Sequence, residues 1–138
     1  MERTLAIVKP DACGRHLTGE ILKRIEASGL ALAALRLKQL SLTEAERFYE
    51  VHKERPFYRS LCEYMTSGPV VIAVLSGEGA IARWRELMGA TDPAKAAAGT
   101  IRRDLGHDIE KNAVHGSDSP ETAAREIGFF FSALEIVR

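Results

Sequence analysis

His115 lies in the run Asn112-Ala-Val-His115-Gly116-Ser117-Asp118-Ser119, which Pro120 follows at once. One imidazole thus has a glycine, two hydroxyls, an amide and a carboxylate as near neighbours, at a point where a helix begins. This is the chemistry a histidine nucleophile for phosphoryl transfer needs. Taken alone, a loop histidine is more often a hydrogen-bonded structural group. The neighbours change that balance: Gly116 lets backbone approach a ligand closely, and Ser117 and Asp118 can orient a ring nitrogen or polarise water. Glu126 follows Ser119 by two turns of the helix expected there, so it can face back toward the histidine. An imidazole whose second nitrogen is held by a carboxylate is a competent nucleophile at neutral pH.

Phosphoryl transfer also demands cations. Lys9 ends an apolar run beside Pro10, where it would act as a point charge on a fixed strand end. Arg85 and Arg102, singly, read as surface groups; with Lys9 they supply three positive charges for a polyphosphate. Phe57, after Arg55-Pro56, is an aromatic at a helix boundary that can stack on a base if exposed. Thr91, in Thr91-Asp92-Pro93, caps a turn or donates its hydroxyl to a phosphate oxygen. No Walker-type glycine loop is present, Gly77-Glu-Gly79 being too weak a signal, and no His/Cys/Asp/Glu spacing fits a zinc site.

Other functions fit the composition poorly. The 138 residues carry 19 Lys plus Arg against 19 Asp plus Glu, so no basic excess steers the chain to nucleic acid or an anionic membrane. An RNA-binding domain would want a basic sheet face with exposed aromatics, and Phe129–Phe131 fits core and subunit contact better. A non-catalytic nucleotide-binding module would dispense with His115 or Lys9, and both are present. Cys13 and Cys62 lie far apart and are expected as free thiols. No signal-peptide pattern follows Met1, and the longest apolar stretch, Val70–Leu75, is too short to span a bilayer, so a cytoplasmic location is expected.

The elements that must position these side chains are legible from periodicity. Thr4–Val8 reads as a buried strand stopped by Pro10. Leu17, Ile21, Leu22 and Ile25 recur at helical spacing up to a Gly29 stop. Leu30–Leu40 permits helix but fits strand better. Thr43-Glu-Ala-Glu46 has capping-box spacing for a short helix through Tyr49. A second helix is expected over Tyr58–Thr66, a buried strand over Val70–Leu75 and a helix over Ala80–Met88. Gly89–Val114 loses its pattern, and a loop that long in a small domain is usually functional or disordered. Ser119-Pro120-Glu121 opens a helix to about Ile127, and Phe129–Leu134 is expected as the last strand. The sum is an α+β chain, a single domain over residues 1–138. It predicts a ferredoxin-like βαββαβ fold: an antiparallel four-stranded sheet, helices on one face, added helices and a long loop before the His115 segment.

These residues together resemble a known family. Asn112-Ala-Val-His115-Gly116-Ser117-Asp118 is similar to the active-site signature of nucleoside diphosphate kinases. Lys9-Pro10-Asp11, Arg55-Pro56-Phe57, Ser67-Gly68-Pro69-Val70, Gly89-Ala-Thr91-Asp-Pro93 and Gly99-Thr100-Ile101-Arg102 resemble further blocks of that family, in order. The resemblance implies a ping-pong reaction in which a nucleoside triphosphate phosphorylates His115 and a nucleoside diphosphate takes the group away. It implies Lys9, Arg85, Thr91, Arg102 and Asn112 on the phosphates and sugar, Phe57 on the base, Glu126 and Ser117 orienting His115, and Tyr49 near the Lys9 ammonium. Substrates would include ATP, GTP and deoxynucleoside diphosphates, with broad base tolerance. Mg²⁺ would be held by the substrate phosphates with no direct protein ligand set. The expected partners include further copies of the chain as a homo-oligomer, but neither nucleic acid nor membrane. Asp92 stands where many members have Asn, a change expected to matter little. The end at Arg138, close after the last element, favours the bacterial type.

Overall fold

Val70–Gly77 is buried along its whole length, which an antiparallel strand tolerates only when both sheet faces are covered. In the computed structural model, which describes residues Met1–Arg138, this strand (β3) lies inside a four-stranded sheet of order β2-β3-β1-β4. The partners are β1 (Glu2–Val8), β2 (Ala31–Lys38) and β4 (Val114–Gly116). β1 runs antiparallel to β3, with Ile7 opposite Ile72, and antiparallel to β4, with Ile7 opposite His115. β2 runs antiparallel to β3 through a register irregularity between Leu32 and Ala34.

Alternation along the strands divides the core in two. Leu5, Ile7, Ile72 and Val74 face Phe48, Met65 and Phe130, contributed by α3 (Leu42–Phe48), α4 (Tyr58–Met65) and α7 (Pro120–Phe130). Ala6, Val8, Val71, Ala73 and Leu75 face the opposite way, onto Ile21 and Ile25 of α2 (Thr18–Ala27) and Trp84 and Met88 of α5 (Ala80–Met88). The helices therefore cover both faces, where the sequence reading put them on one. A strand apolar at every position, such as β3, requires this arrangement.

The fourth strand also differs from expectation. It is the His115 segment, and Phe129–Leu134 is not a strand: Phe129 and Phe130 complete α7, and Ala133–Glu135 forms a 3₁₀ turn. The physical reason is a helical period, since Ala123, Glu126 and Phe130 are buried on one side of α7. β4 already occupies the free edge of β1.

The Gly89–Val114 segment is not a bare loop; it carries a 3₁₀ turn at Pro93–Lys95 and α6 (Ile101–Leu105), capped by Thr100. A short helix, α1 (Pro10–Gly14), follows Lys9 directly. The capping box of α3 is Ser41 with Glu44, not Thr43 with Glu46; both spacings occur, and the box closes where Ser41 Oγ accepts from Glu44 N at 3.1 Å. Both cysteines are free.

Candidate active site

β4 is short because its entry is a strained turn. Val114 N donates to Asn112 O at 2.9 Å across Ala113, whose φ is 74°, a γ-turn of the rare hand for an L-residue. That turn separates the Asn112 side chain from His115, and β1 pairing fixes what lies on each side. Ser117 N donates to Leu5 O at 3.3 Å, and Ser117 Oγ accepts from Leu5 N at 3.2 Å. With its lone pair so used, the Ser117 hydroxyl donates to Glu126 Oε1 at 2.8 Å.

The same carboxylate oxygen lies 3.0 Å from His115 Nε2. Glu126 is buried on α7, and burial alone would raise its carboxyl pKa, but the hydrogen bonds from His115 and Ser117 hold it below the ordinary carboxylate range. Nε2 is thereby committed as a donor, which leaves the Nδ1 lone pair as the reactive site of the ring. Phe48 and Tyr49 meet the ring edge-on at centroid distances of 5.5 and 6.4 Å. Behind it, Trp84 Nε1 donates to His115 O at 3.2 Å. Gly116 permits this contact: a Cβ there would lie 2.5 Å from Met88 Cε and 2.7 Å from the Trp84 ring.

Two cations are buried nearby. Lys9 follows the end of β1 directly, and its backbone N donates to Ala113 O at 2.8 Å, so its side chain starts level with the turn before His115. Lys9 Nζ donates to Asn112 Oδ1 at 2.8 Å and to Glu110 O at 3.4 Å. Burial, reinforced by the Arg102 charge, lowers its pKa to about 8. Arg102 donates to Gly89 O and Val114 O, while its buried Nε has no partner. Burial and the Arg85 charge lower its pKa to about 10. Neither buried charge has a carboxylate within ion-pair distance.

Lys9, Arg102, Thr91 and Asn112 line a cleft of about 390 Å³ together with Phe57, Leu61, Ile109 and Glu110. Phe57 is 45% exposed with the His52 ring behind it at 5.5 Å. Asn112 Nδ2 donates to Thr91 O and Ile109 O, clamping the two loops that form one wall.

The residues singled out by sequence thus form two joined groups, His115–Ser117–Glu126 and the cleft residues. Arg85 lies beside both without lining the cleft, and its Nη1 donates to Asp118 Oδ1 at 2.7 Å. Tyr49 abuts His115, and its hydroxyl, buried and without a hydrogen-bond partner, has its pKa raised by that burial. Sequence reasoning missed Leu61, Ile109 and Glu110; it named Asp118 as a partner for the ring or a water, and the structure gives it Arg85 as hydrogen-bond partner. A lone isoleucine between Asp108 and Glu110 was the available signal for Ile109. No group of three or more His, Cys, Asp or Glu side chains is placed to hold a metal ion. No helix is long and apolar enough to cross a membrane.

The family model described as nucleoside diphosphate kinase matches residues 2–136. A nucleoside diphosphate kinase from Desulfatibacillum aliphaticivorans is 60% identical over 136 residues, 99% of each chain. One from Geotalea uraniireducens is 58% identical over 137 residues, 99% of this chain and 100% of that one. Among solved structures, the Aquifex aeolicus nucleoside diphosphate kinase matches with a TM-score of 0.96 at 52% identity, covering 99% of both chains. The Halobacterium salinarum enzyme, solved in complex with CDP, matches with a TM-score of 0.95 at 41% identity, covering 99% of this chain and 91% of that one. A match over nearly the full length in both sequence and structure carries one conclusion: the chain belongs to the nucleoside diphosphate kinase family.

Proposed function

We propose that His115 Nδ1 is the atom that carries the phosphoryl group between nucleotides in this kinase. The observation that carries this reading is the commitment of Nε2 to Glu126 at 3.0 Å, beside a cleft that holds two buried, unpaired cations. In the first half-reaction the Nδ1 lone pair attacks the γ-phosphorus, the bond to the β-phosphate oxygen breaks, and a nucleoside diphosphate leaves. In the second, a terminal oxygen of another nucleoside diphosphate attacks that phosphorus, the N–P bond breaks, and the neutral imidazole returns.

The Nε2 proton stays on the ring throughout, its partial charge balanced by Glu126, which Ser117 in turn holds. Lys9 and Arg102 neutralise the charge on the transferring group, Arg85 adds to that field, and Thr91 and Asn112 fix phosphates and sugar. Phe57 offers one aromatic face to the base, and stacking tolerates any base, so broad specificity over ATP, GTP and deoxynucleoside diphosphates follows. Tyr49 closes the ring pocket from the apolar side.

Enzymes of this family use a divalent cation, and Mg²⁺ is the ion we assign. The cleft offers cations, amides and hydroxyls in place of a carboxylate cluster, which suits an ion that arrives on the substrate phosphates. When bound there, Mg²⁺ supplies charge neutralisation on the phosphate oxygens. The working unit is the single domain of residues 1–138, acting in the cytoplasm as a homo-oligomer without nucleic-acid or membrane partners. Light scattering at several concentrations tests the assembly.

Incubation with γ-labelled ATP is expected to give an acid-labile, base-stable phosphoenzyme. His115→Ala is expected to keep the fold and nucleotide binding, measured by calorimetry, and to lose turnover by several orders of magnitude. Retained turnover in that variant would overturn the assignment.

A further inference from the structure

Ser60 of α4 reaches across the mouth of the cleft to Glu110, its Oγ lying 3.0 Å from Oε2 and 3.2 Å from Oε1. In sequence Ser60 stands between Phe57 and Leu61, which line the α4 side of the cleft; Glu110 follows Ile109, which lines the other side. No other hydrogen bond joins α4 to residues 106–112.

Packing does not hold the outer side in place, because Ile109 is 64% exposed. What shapes it is polar. Asp108 Oδ1 accepts from the backbone N of Glu110 and Lys111, folding the loop back on itself. The Glu110 carbonyl accepts from Lys9 Nζ, and its carboxylate extends to Ser60. Glu110 is therefore fastened to the phosphate end of the cleft through its backbone and to the opposite wall through its side chain.

We propose that Ser60 and Glu110 form a clasp that sets the width of the slot between Phe57 and Ile109, making them positioning residues for the base. The inference rests on the cleft being the nucleotide site argued above. A planar base gains from apolar faces on both sides only if their separation is held in advance. Without the clasp, the Ile109 loop is still held from its own side by Asp108, Asn112 and Lys9, but nothing polar ties it to α4, so its separation from Phe57 must be fixed at the moment of binding and affinity falls by that cost. The Ser60–Glu110 bond itself involves neither His115 nor the Lys9 and Arg102 side chains, and Glu110 meets Lys9 only through its carbonyl, which Ser60→Ala leaves in place, so the effect of losing the serine belongs to the base end of the substrate.

Steady-state kinetics on Ser60→Ala, Glu110→Ala, the double variant and Glu110→Gln provide the test, with nucleoside diphosphates and base-free ribose 5-diphosphate as acceptors. Each alanine variant is expected to raise KM for nucleoside diphosphates about three- to tenfold, as loss of one solvent-exposed hydrogen bond implies. kcat is expected to move less than KM. The double variant is expected to be no worse than the worse single one. Glu110→Gln keeps an acceptor oxygen for the serine hydroxyl and is expected to lose less than Glu110→Ala. KM for ribose 5-diphosphate is expected to stay level across Ser60→Ala.

Additive losses in the double variant, equal losses with the base-free acceptor, or a Ser60→Ala KM equal to that of the parent would each overturn the clasp. The underlying reading has its own control. If the unaltered chain forms no phosphohistidine from ATP, the site assignment falls; if it does and the clasp variants match it, only the clasp falls.

Discussion

Lys9 serves two opposed demands. Its ammonium is buried with a pKa lowered to about 8 by desolvation and by Arg102, so the folded chain holds a charge there at a cost. Above pH 8 the folded state releases this proton, while the unfolded chain keeps it until about 10.5. Stability on account of this residue therefore rises with pH between those values, and the cost is fully present below them. Lys9→Met is accordingly expected to stabilise the fold by about 1–2 kcal/mol at pH 7, net of the lost hydrogen bond to Asn112. The gain should vanish by about pH 10.5, as thermal melts across that range would reveal. Activity should move the other way, with kcat/KM down about a hundredfold or more, because the charge opposite the phosphate is gone. The parent enzyme should likewise lose nucleotide affinity as pH passes 8 and Lys9 becomes neutral. Phe57 sits at the opposite end of the cleft and the opposite end of the energetics. Phe57→Ala is expected to raise KM for every nucleotide by about ten- to a hundredfold, the worth of one stacked base, with little change in the ranking of bases; competition among the four diphosphates measures it, and a reordered preference would count against stacking.

At the scale of elements, the controlling contact is β4 against α5. Gly116 leaves no room for a side chain beside Trp84 and Met88, and the strand is only Val114–Gly116. Gly116→Ala is expected to destabilise the fold by about 2 kcal/mol through overpacking and to depress kcat by moving His115 off Glu126. Urea midpoints and single-turnover phosphorylation separate the two effects. The same element shows how far sequence can be read. β1 and β3 were plain because their apolar runs, Thr4–Val8 and Val70–Leu75, answer to the core, and the helix at Pro120 was plain because Ser119 and Pro120 are local signals. β4 was not: three residues carry no period, and an apolar Phe129–Phe131 run competed for the edge beside β1. The pairing of His115 with Ile7 decides that competition, and a contact between residues so far apart in sequence has no local signature. The site residues divide likewise. His115, Ser117 and Lys9 announce their chemistry by type, whereas Ile109, Glu110 and Ser60 matter only because the fold brings two loops face to face. Tyr49 lies against the histidine ring, a placement that spacing in sequence does not encode.

At the scale of the whole molecule, the sheet is the partition. One face is packed by α2 and α5, the other by α3, α4 and α7, and the chemistry is gathered at one end of β1 and β4 with contributions from both layers: Arg85 from the α5 side, Glu126 from the α7 side. Formal neutrality of the chain coexists with a local excess of positive charge there, so long-range steering is weak and attraction is confined to the cleft. Encounter rates with nucleotide are expected to depend little on ionic strength, while affinity depends on it more; stopped-flow binding at two salt concentrations distinguishes them. Trp84 gives such experiments their own signal. It is the sole tryptophan of the chain, fully buried, and its indole N–H is bonded to the carbonyl of His115. A doubly charged group placed on that residue alters the electric field at a single chromophore. Ultraviolet emission should therefore shift when the phosphoenzyme forms and return when a diphosphate discharges it, letting each half of the reaction be timed without label or dye; in His115→Ala the shift should be absent.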